Sequence, residues 1–263
     1  MKAALLMAAA LAASAVGILS LSSCASNGDA SCGAPAAARD ETPRPLVVLG
    51  DDLSPLREAF NAASGRWRVV ALVSPTCSEC LLGADAVQQE LTARYAPDRL
   101  AALIVWIPML QTDDEAAARD SATLFPPDRV LHFYDGAQSL GLAYTRGTYA
   151  GLMERARRSV PAGDPLAERL TEREEVERPQ WDLYMLYAPG VRWEAGAGAT
   201  AAAPPMPTHW IRHCGRNAEG LSTWWRDSPD TPPQRGQLID AMRAMADAAL
   251  AGVGPAATAT SPH

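Results

Sequence analysis

The chain has 263 residues, with 23 Lys and Arg against 30 Asp and Glu and a formal net charge of −7. Its acidic residues are scattered and no basic patch with interleaved aromatics occurs, which argues against nucleic acid as a partner. Beyond the N-terminal region no apolar run is long enough to span a bilayer, and no G-x-S-x-G motif marks a serine hydrolase.

Lys2 is followed by an uninterrupted stretch of small and apolar residues from Ala3 to Leu21. This is the pattern of an export signal and is set aside from the fold. Leu21-Ser22-Ser23-Cys24 resembles a bacterial lipobox. The resemblance implies removal of residues 1–23 and lipid attachment to Cys24. The protein is then exported and lipid-anchored to a bacterial membrane, facing the periplasm or the cell exterior. Residues 24–45 are rich in Ala, Ser, Gly, Asp and Pro without periodicity, which reads as a flexible tether. Residues 253–263 read as a disordered tail. About 200 residues remain between them, over 46–252, enough for one domain with a full core.

Ser54-Pro55 marks a helix start, with Ser as the cap and Pro in the first turn. Leu56, Phe60 and Ala63 give that helix a short apolar face up to Gly65. Arg68 to Ser74 is a continuous Val, Ala and Leu run, the signature of a strand buried on both faces. Ser74-Pro75 ends it, Thr76-Cys77-Ser78-Glu79-Cys80 follows, and Ala84, Val87, Leu91 and Tyr95 then recur at helical spacing. Leu100 to Ile107 is a second buried strand, closed by Pro108. Thr112 and Glu115 form a capping box for a helix reaching about Phe125. Val130 to Tyr134 is a third strand, Asp135-Gly136 a turn, and Ser139 to Arg146 a short helix. Residues 146–178 are charged and partly helical in character and read as an insertion. Trp181 to Tyr187 is a fourth strand, 194–207 a second insertion, and Thr208 to His213 the returning strand of a hairpin. An amphipathic helix from Pro233 to about Gly252 closes the chain. Strand–helix alternation followed by a hairpin predicts an α/β fold, a mixed central sheet with helices on both faces.

The chemistry is concentrated at Cys77 and Cys80. A buried strand delivers Cys77 to a helix N-terminus, where free N–H groups and the positive end of the dipole favour a thiolate. Cys77 is the attacking sulfur of a thiol–disulfide exchange and Cys80, one turn on, the resolving one. The chain has five cysteines. With Cys24 lipidated and Cys77 paired to Cys80, Cys32 and Cys214 remain as a candidate second bridge. Zinc requires four ligands, and His209, His213 and Cys214 complete a set only by converging on Cys77, which the hairpin topology disfavours. His132, on an apolar strand, reads as a core or edge histidine.

Strand, Cys-x-x-Cys, helix, strand, helix, hairpin and helix together resemble the thioredoxin superfamily over residues 46–252. Val130 to Tyr134 with Asp135, and the turn at Ala188-Pro-Gly190, resemble the membrane-tethered thiol reductases and the thiol-specific antioxidant proteins. The resemblance implies a thioredoxin-like three-layer fold with insertions. It also implies disulfide exchange on protein thiols or disulfides of the cell envelope, with no dissociable cofactor and no metal. It further implies a cis-proline against the dithiol, and Pro179 is the matching position. Trp181 beside it is a candidate groove residue. Two departures stand out: Thr76 occupies the place where most relatives carry Trp, and Ala71 and Leu72 leave the strand without a buried acid. Glu79 is then the nearby acid, either a proton acceptor for Cys80 or a helix-start residue. Its charge raises the Cys77 pKa. The alternative reading is a non-catalytic partner-binding or soft-metal-binding lipoprotein; a peroxiredoxin-like peroxidase fits less well, since Thr76 stands at the wrong spacing for that chemistry. The 146–178 insertion is expected to flank the dithiol and control access to it.

Overall fold

In the strand Trp67–Val73 (β2), Val69, Ala71 and Val73 enter one hydrophobic cluster and Val70 and Leu72 a second. Side chains alternate across a strand, so an all-apolar strand requires a layer on each side. The computed structural model describes residues 46–50, 52–126, 128–159, 178–195, 203–216, 222–228, 231–236 and 238–251, and these supply both layers. All of them belong to the compact unit formed by residues 41–263.

The remaining strands are Val47–Leu49 (β1), Leu100–Trp106 (β3), Val130–Asp135 (β4), Leu183–Tyr187 (β5), His209–Arg216 (β6), Ser222–Ser228 (β7) and Thr231–Gly236 (β8). They form one sheet in the order β1-β4-β3-β2-β5-β6-β7-β8. The first four run parallel, and β5 to β8 add on antiparallel. The mixed α/β sheet predicted from the alternation is therefore present.

One face is covered by Ser78–Val87 (α2), its π-helical continuation Gln88–Thr92, Glu115–Ala122 (α3) and Leu238–Leu250 (named α6 below). The other is covered by Ser54–Ala62 (α1), Ser139–Arg146 (α4) and Thr148–Ser159 (α5) through Leu56, Phe60, Leu140, Tyr144, Tyr149 and Leu152. Glu90, turned inward by the π-helical stretch, accepts from Arg243 at 2.8 Å and ties that stretch to α6. Arg68 is wholly buried in β2. Its guanidinium donates to the carbonyls of Val191 at 2.7 Å and Ala188 at 2.5 Å and lies 4.3 Å over the Phe60 ring.

Several local expectations are corrected. The cap of α1 is Leu53, with Ser54 and Pro55 inside the first turn, and Asp52 takes the Ser54 N–H at 2.8 Å. Asp114, accepting from Ala117 N at 2.7 Å, caps α3 in place of Thr112, whose hydroxyl is drawn to Thr76 at 2.5 Å. Residues 231–236 are strand β8, so the last helix begins at Leu238 and not at Pro233. Pro232 and Pro233 cannot donate within a helix, but they are tolerated on the outermost strand of a sheet. Of the 146–178 insertion, α5 packs Tyr149 and Leu152 into the cluster opposite the one holding Cys80; residues 160–177, on which the expected control of access turns, lie outside the described residues.

Candidate active site

The loop between β2 and α2 is held in place from below. Asp113, just after β3, accepts from the Ser74 hydroxyl at 2.7 Å and from Thr76 through its N–H at 3.2 Å and hydroxyl at 2.5 Å. The same carboxylate accepts from the Met109 and Leu110 amides, each at 2.8 Å. Burial raises its pKa, but these donors outweigh burial and hold it below the ordinary carboxylate value. Ser74 Oγ in turn accepts from the Cys77 N–H at 3.2 Å. Thr76 thus serves as a strap between two loops.

Cys77 occupies the N-cap of α2, with φ −79° and ψ 121°, and is half-buried. Its thiol is lowered to about 6, first by hydrogen bonding from Cys80, against which burial acts in the opposite sense. The N–H groups of Cys80 and Glu79 add to the lowering, and the Glu79 charge works against it. Those amides act on the sulfur without making a capping hydrogen bond of normal geometry. The pair is asymmetric. Cys80 is fully buried, and hydrogen bonding with Cys77, burial and the charge of Asp182 push its thiol far up; its single proton faces either Cys77 or Asp182, not both at once. Both cysteines are free thiols.

The acid beside Cys80 comes from the neighbouring strand, at the head of β5. Cys80 Sγ donates to Asp182 Oδ1 at 3.6 Å, and the Tyr184 hydroxyl donates to the same oxygen at 3.2 Å. Asp182 is 6% exposed. Burial raises its carboxyl to about 7, the Cys77 and Glu79 charges add to the rise, and the Tyr184 and Cys80 donors oppose it. This corrects the expectation that Glu79 is the one nearby acid. β5 runs antiparallel to β2 with Leu183 opposite Leu72, so the residue before Leu183 meets the end of β2 where the dithiol begins. The sequence signal was an acidic residue heading an otherwise apolar strand, Asp182-Leu-Tyr-Met-Leu-Tyr187.

Glu79 is half-exposed on the first turn of α2. Pro179 packs against Gly141 of α4, with the Gln180 N–H donating to the Gly141 carbonyl at 3.1 Å. Its peptide bond is trans, as are all those among the described residues, which corrects the cis expectation. The chain makes its sharp turn at Asp182 instead, whose φ of +54° lies in the left-handed region. Trp181 is partly buried against the cluster that contains Cys80. His132 is buried and stacked on Trp106, whose Nε1–H donates to its Nδ1 at 3.3 Å, and burial lowers its pKa to about 4. Cys24 and Cys32 lie outside the described residues, and of Cys214 and His213 only the backbone, within β6, is described. Among the described residues no group of three or more His, Cys, Asp and Glu side chains is arranged to hold a metal.

The arrangement places a half-buried thiol of lowered pKa at a helix N-cap, a buried thiol behind it, and a buried carboxyl in contact with that second thiol. No protein-family model matches the chain, and neither a curated protein nor a solved structure is significantly similar to it.

Proposed function

We propose that the protein is an exported, lipid-anchored thiol–disulfide oxidoreductase with a thioredoxin-like fold, acting on protein thiols or disulfides of the cell envelope. The observation that carries this reading is the unequal dithiol: Cys77 lowered to about 6 at a helix N-cap, and Cys80 buried and hydrogen-bonded to Asp182. A low-pKa attacking thiol backed by a protected resolving thiol is the requirement of exchange chemistry. The parallel β3 beside β2, the antiparallel β5–β6 hairpin and helices on both faces support the fold resemblance. The Leu21-Ser22-Ser23-Cys24 stretch supports the anchor.

The Cys77 thiolate attacks one sulfur of a substrate disulfide; a Cys77–substrate S–S bond forms, the substrate S–S bond breaks, and the departing thiolate takes a proton from water. Cys80 then gives its proton to the Asp182 carboxylate and attacks Cys77 Sγ, releasing the second substrate thiolate. The substrate ends as a dithiol and the chain as a Cys77–Cys80 disulfide. Run in reverse, the same steps oxidise a substrate dithiol, and the partner's reduction potential sets the direction.

A glutathione redox titration with thiol trapping and peptide mapping tests the reading. A single two-electron couple confined to Cys77 and Cys80 is expected. Cysteines that stay reduced across the whole range would sink it.

A further inference from the structure

One carboxylate oxygen joins two groups under α2. Asp182 Oδ1 receives the Cys80 thiol at 3.6 Å and the Tyr184 hydroxyl at 3.2 Å. Tyr184 follows Asp182 by two residues on β5 and so presents its side chain to the same face of the sheet. Its ring is fully buried opposite Ala71 of β2. The hydroxyl reaches this depth because residue 83 is glycine: a Cβ there would lie 1.6 Å from the Tyr184 oxygen. Glycine is otherwise an unfavourable choice inside a helix. Gly83 is the notch in α2 that receives the phenol.

We propose that Tyr184 is a positioning residue for the dithiol: its hydroxyl, seated against Gly83, holds the Asp182 carboxylate under Cys80 and sets the pH at which Cys80 gives up its proton. The proposal rests on the thiol-exchange reading and adds a residue to it. A phenylalanine would fill the same space without burying a hydroxyl, so what the hydroxyl adds is its bond to the acid.

The groups facing Asp182 act in opposite senses. From α2, the charges of Cys77 and Glu79 favour its neutral form, as burial does, whereas the Cys80 thiol donates to it and favours the carboxylate. From β5, Tyr184 also favours the carboxylate. Neighbouring β2 presents Ala71 and Val73, which carry no charge. On β6, the backbone of His213 lies one register step beyond the Leu183–Arg212 pair. Burial and the nearby acid hold the Tyr184 proton on its oxygen well above the ordinary phenol value, so the hydroxyl remains a donor throughout the working range.

The test uses the full chain with Cys24, Cys32 and Cys214 replaced by serine and an aromatic disulfide whose leaving thiolate is coloured. Cys77 releases the first coloured thiolate; attack by Cys80 on the resulting mixed disulfide releases the second. For Tyr184→Phe, the midpoint of the second release is expected about one pH unit higher than in the parent, with the step slowed several-fold below that midpoint. The first release should be unchanged. Superimposable profiles would overturn the proposal and leave Tyr184 as packing alone. Asp182→Asn and Cys80→Ser separate the failures. If Asp182→Asn keeps the parent profile, the acid has no role and the proposal falls, while loss of the second release in Cys80→Ser still upholds the dithiol reading. If the parent itself gives no second release, the exchange reading fails and takes the proposal with it. A measurement that needs no variant is NMR of the parent labelled at aspartate carboxyl carbons. A slowly exchanging Tyr184 hydroxyl proton beside a carboxyl titrating near neutrality is expected, and a hydroxyl in free exchange with water overturns the assignment.

Discussion

Replacing Asp182 by Asn should make the reduced protein less sensitive to alkali. The Asp182 carboxyl is raised by burial to about 7 from its ordinary 3.8. A carboxyl whose folded pKa exceeds its unfolded value stabilises the fold while protonated. That stability is complete below the unfolded value and is lost as pH rises through the folded one. The gap is about three pH units, and each is worth 1.36 kcal/mol, so ionising Asp182 in place costs about 4 kcal/mol. Asn cannot ionise. Whatever its amide costs in that site does not vary with pH. The stability difference between the two proteins should therefore swing by about 4 kcal/mol in favour of Asn between about pH 4 and about pH 8. Urea unfolding of both reduced proteins across this range measures it, and contributions from distant titrating groups cancel in the difference. Two stability curves that stay parallel would refute the assignment of Asp182 as a buried carboxyl with a raised pKa. The acid that destabilises the fold at neutral pH is the one in contact with Cys80, where the proposed chemistry has a use for it.

Cys80→Ala removes the largest influence lowering the Cys77 thiol, so the ultraviolet thiolate absorbance of Cys77 should titrate about one pH unit or more above its present value of about 6. Gly83→Ala gains about 1 kcal/mol of helix propensity but sets a methyl against the buried Tyr184 ring. The net effect should be a destabilisation of about 1–3 kcal/mol, read from the thermal midpoint. Asp113→Ala leaves the donors of Ser74, Thr76, Met109 and Leu110 without their acceptor. It should cost about 1–3 kcal/mol and speed amide exchange at Thr76 and Cys77. Because the Asp113 pKa is held below the ordinary value, its stabilisation is present above the unfolded pKa and fades as pH falls through the folded one. The loss should shrink in acid, and a constant loss would count against the carboxylate's role.

Three features are local enough for the sequence to have determined them. The unbroken Val69–Val73 run requires a strand covered on both sides, Cys77 follows it at a helix start, and Cys80 lies one turn on. These depend on residue type and spacing over about a dozen positions, within the reach of periodicity and capping rules. The tertiary structure decided what meets the sulfurs. Asp182 is separated from Cys80 by 102 positions and reaches it through the antiparallel pairing of β5 with β2, a long-range register that no local pattern encodes. The same pairing sends Tyr184 into the notch left by Gly83, and the loop after β3 brings Asp113 to Ser74 and Thr76. Thr112 illustrates the difference: its capping-box spacing is genuine, yet a hydroxyl partner across the loop outcompeted the helix. The sequence alone thus determined where the two cysteines stand and which of them opens the helix. Only the folded sheet decided which acid touches the buried sulfur, because this contact is made between strands, not along the chain.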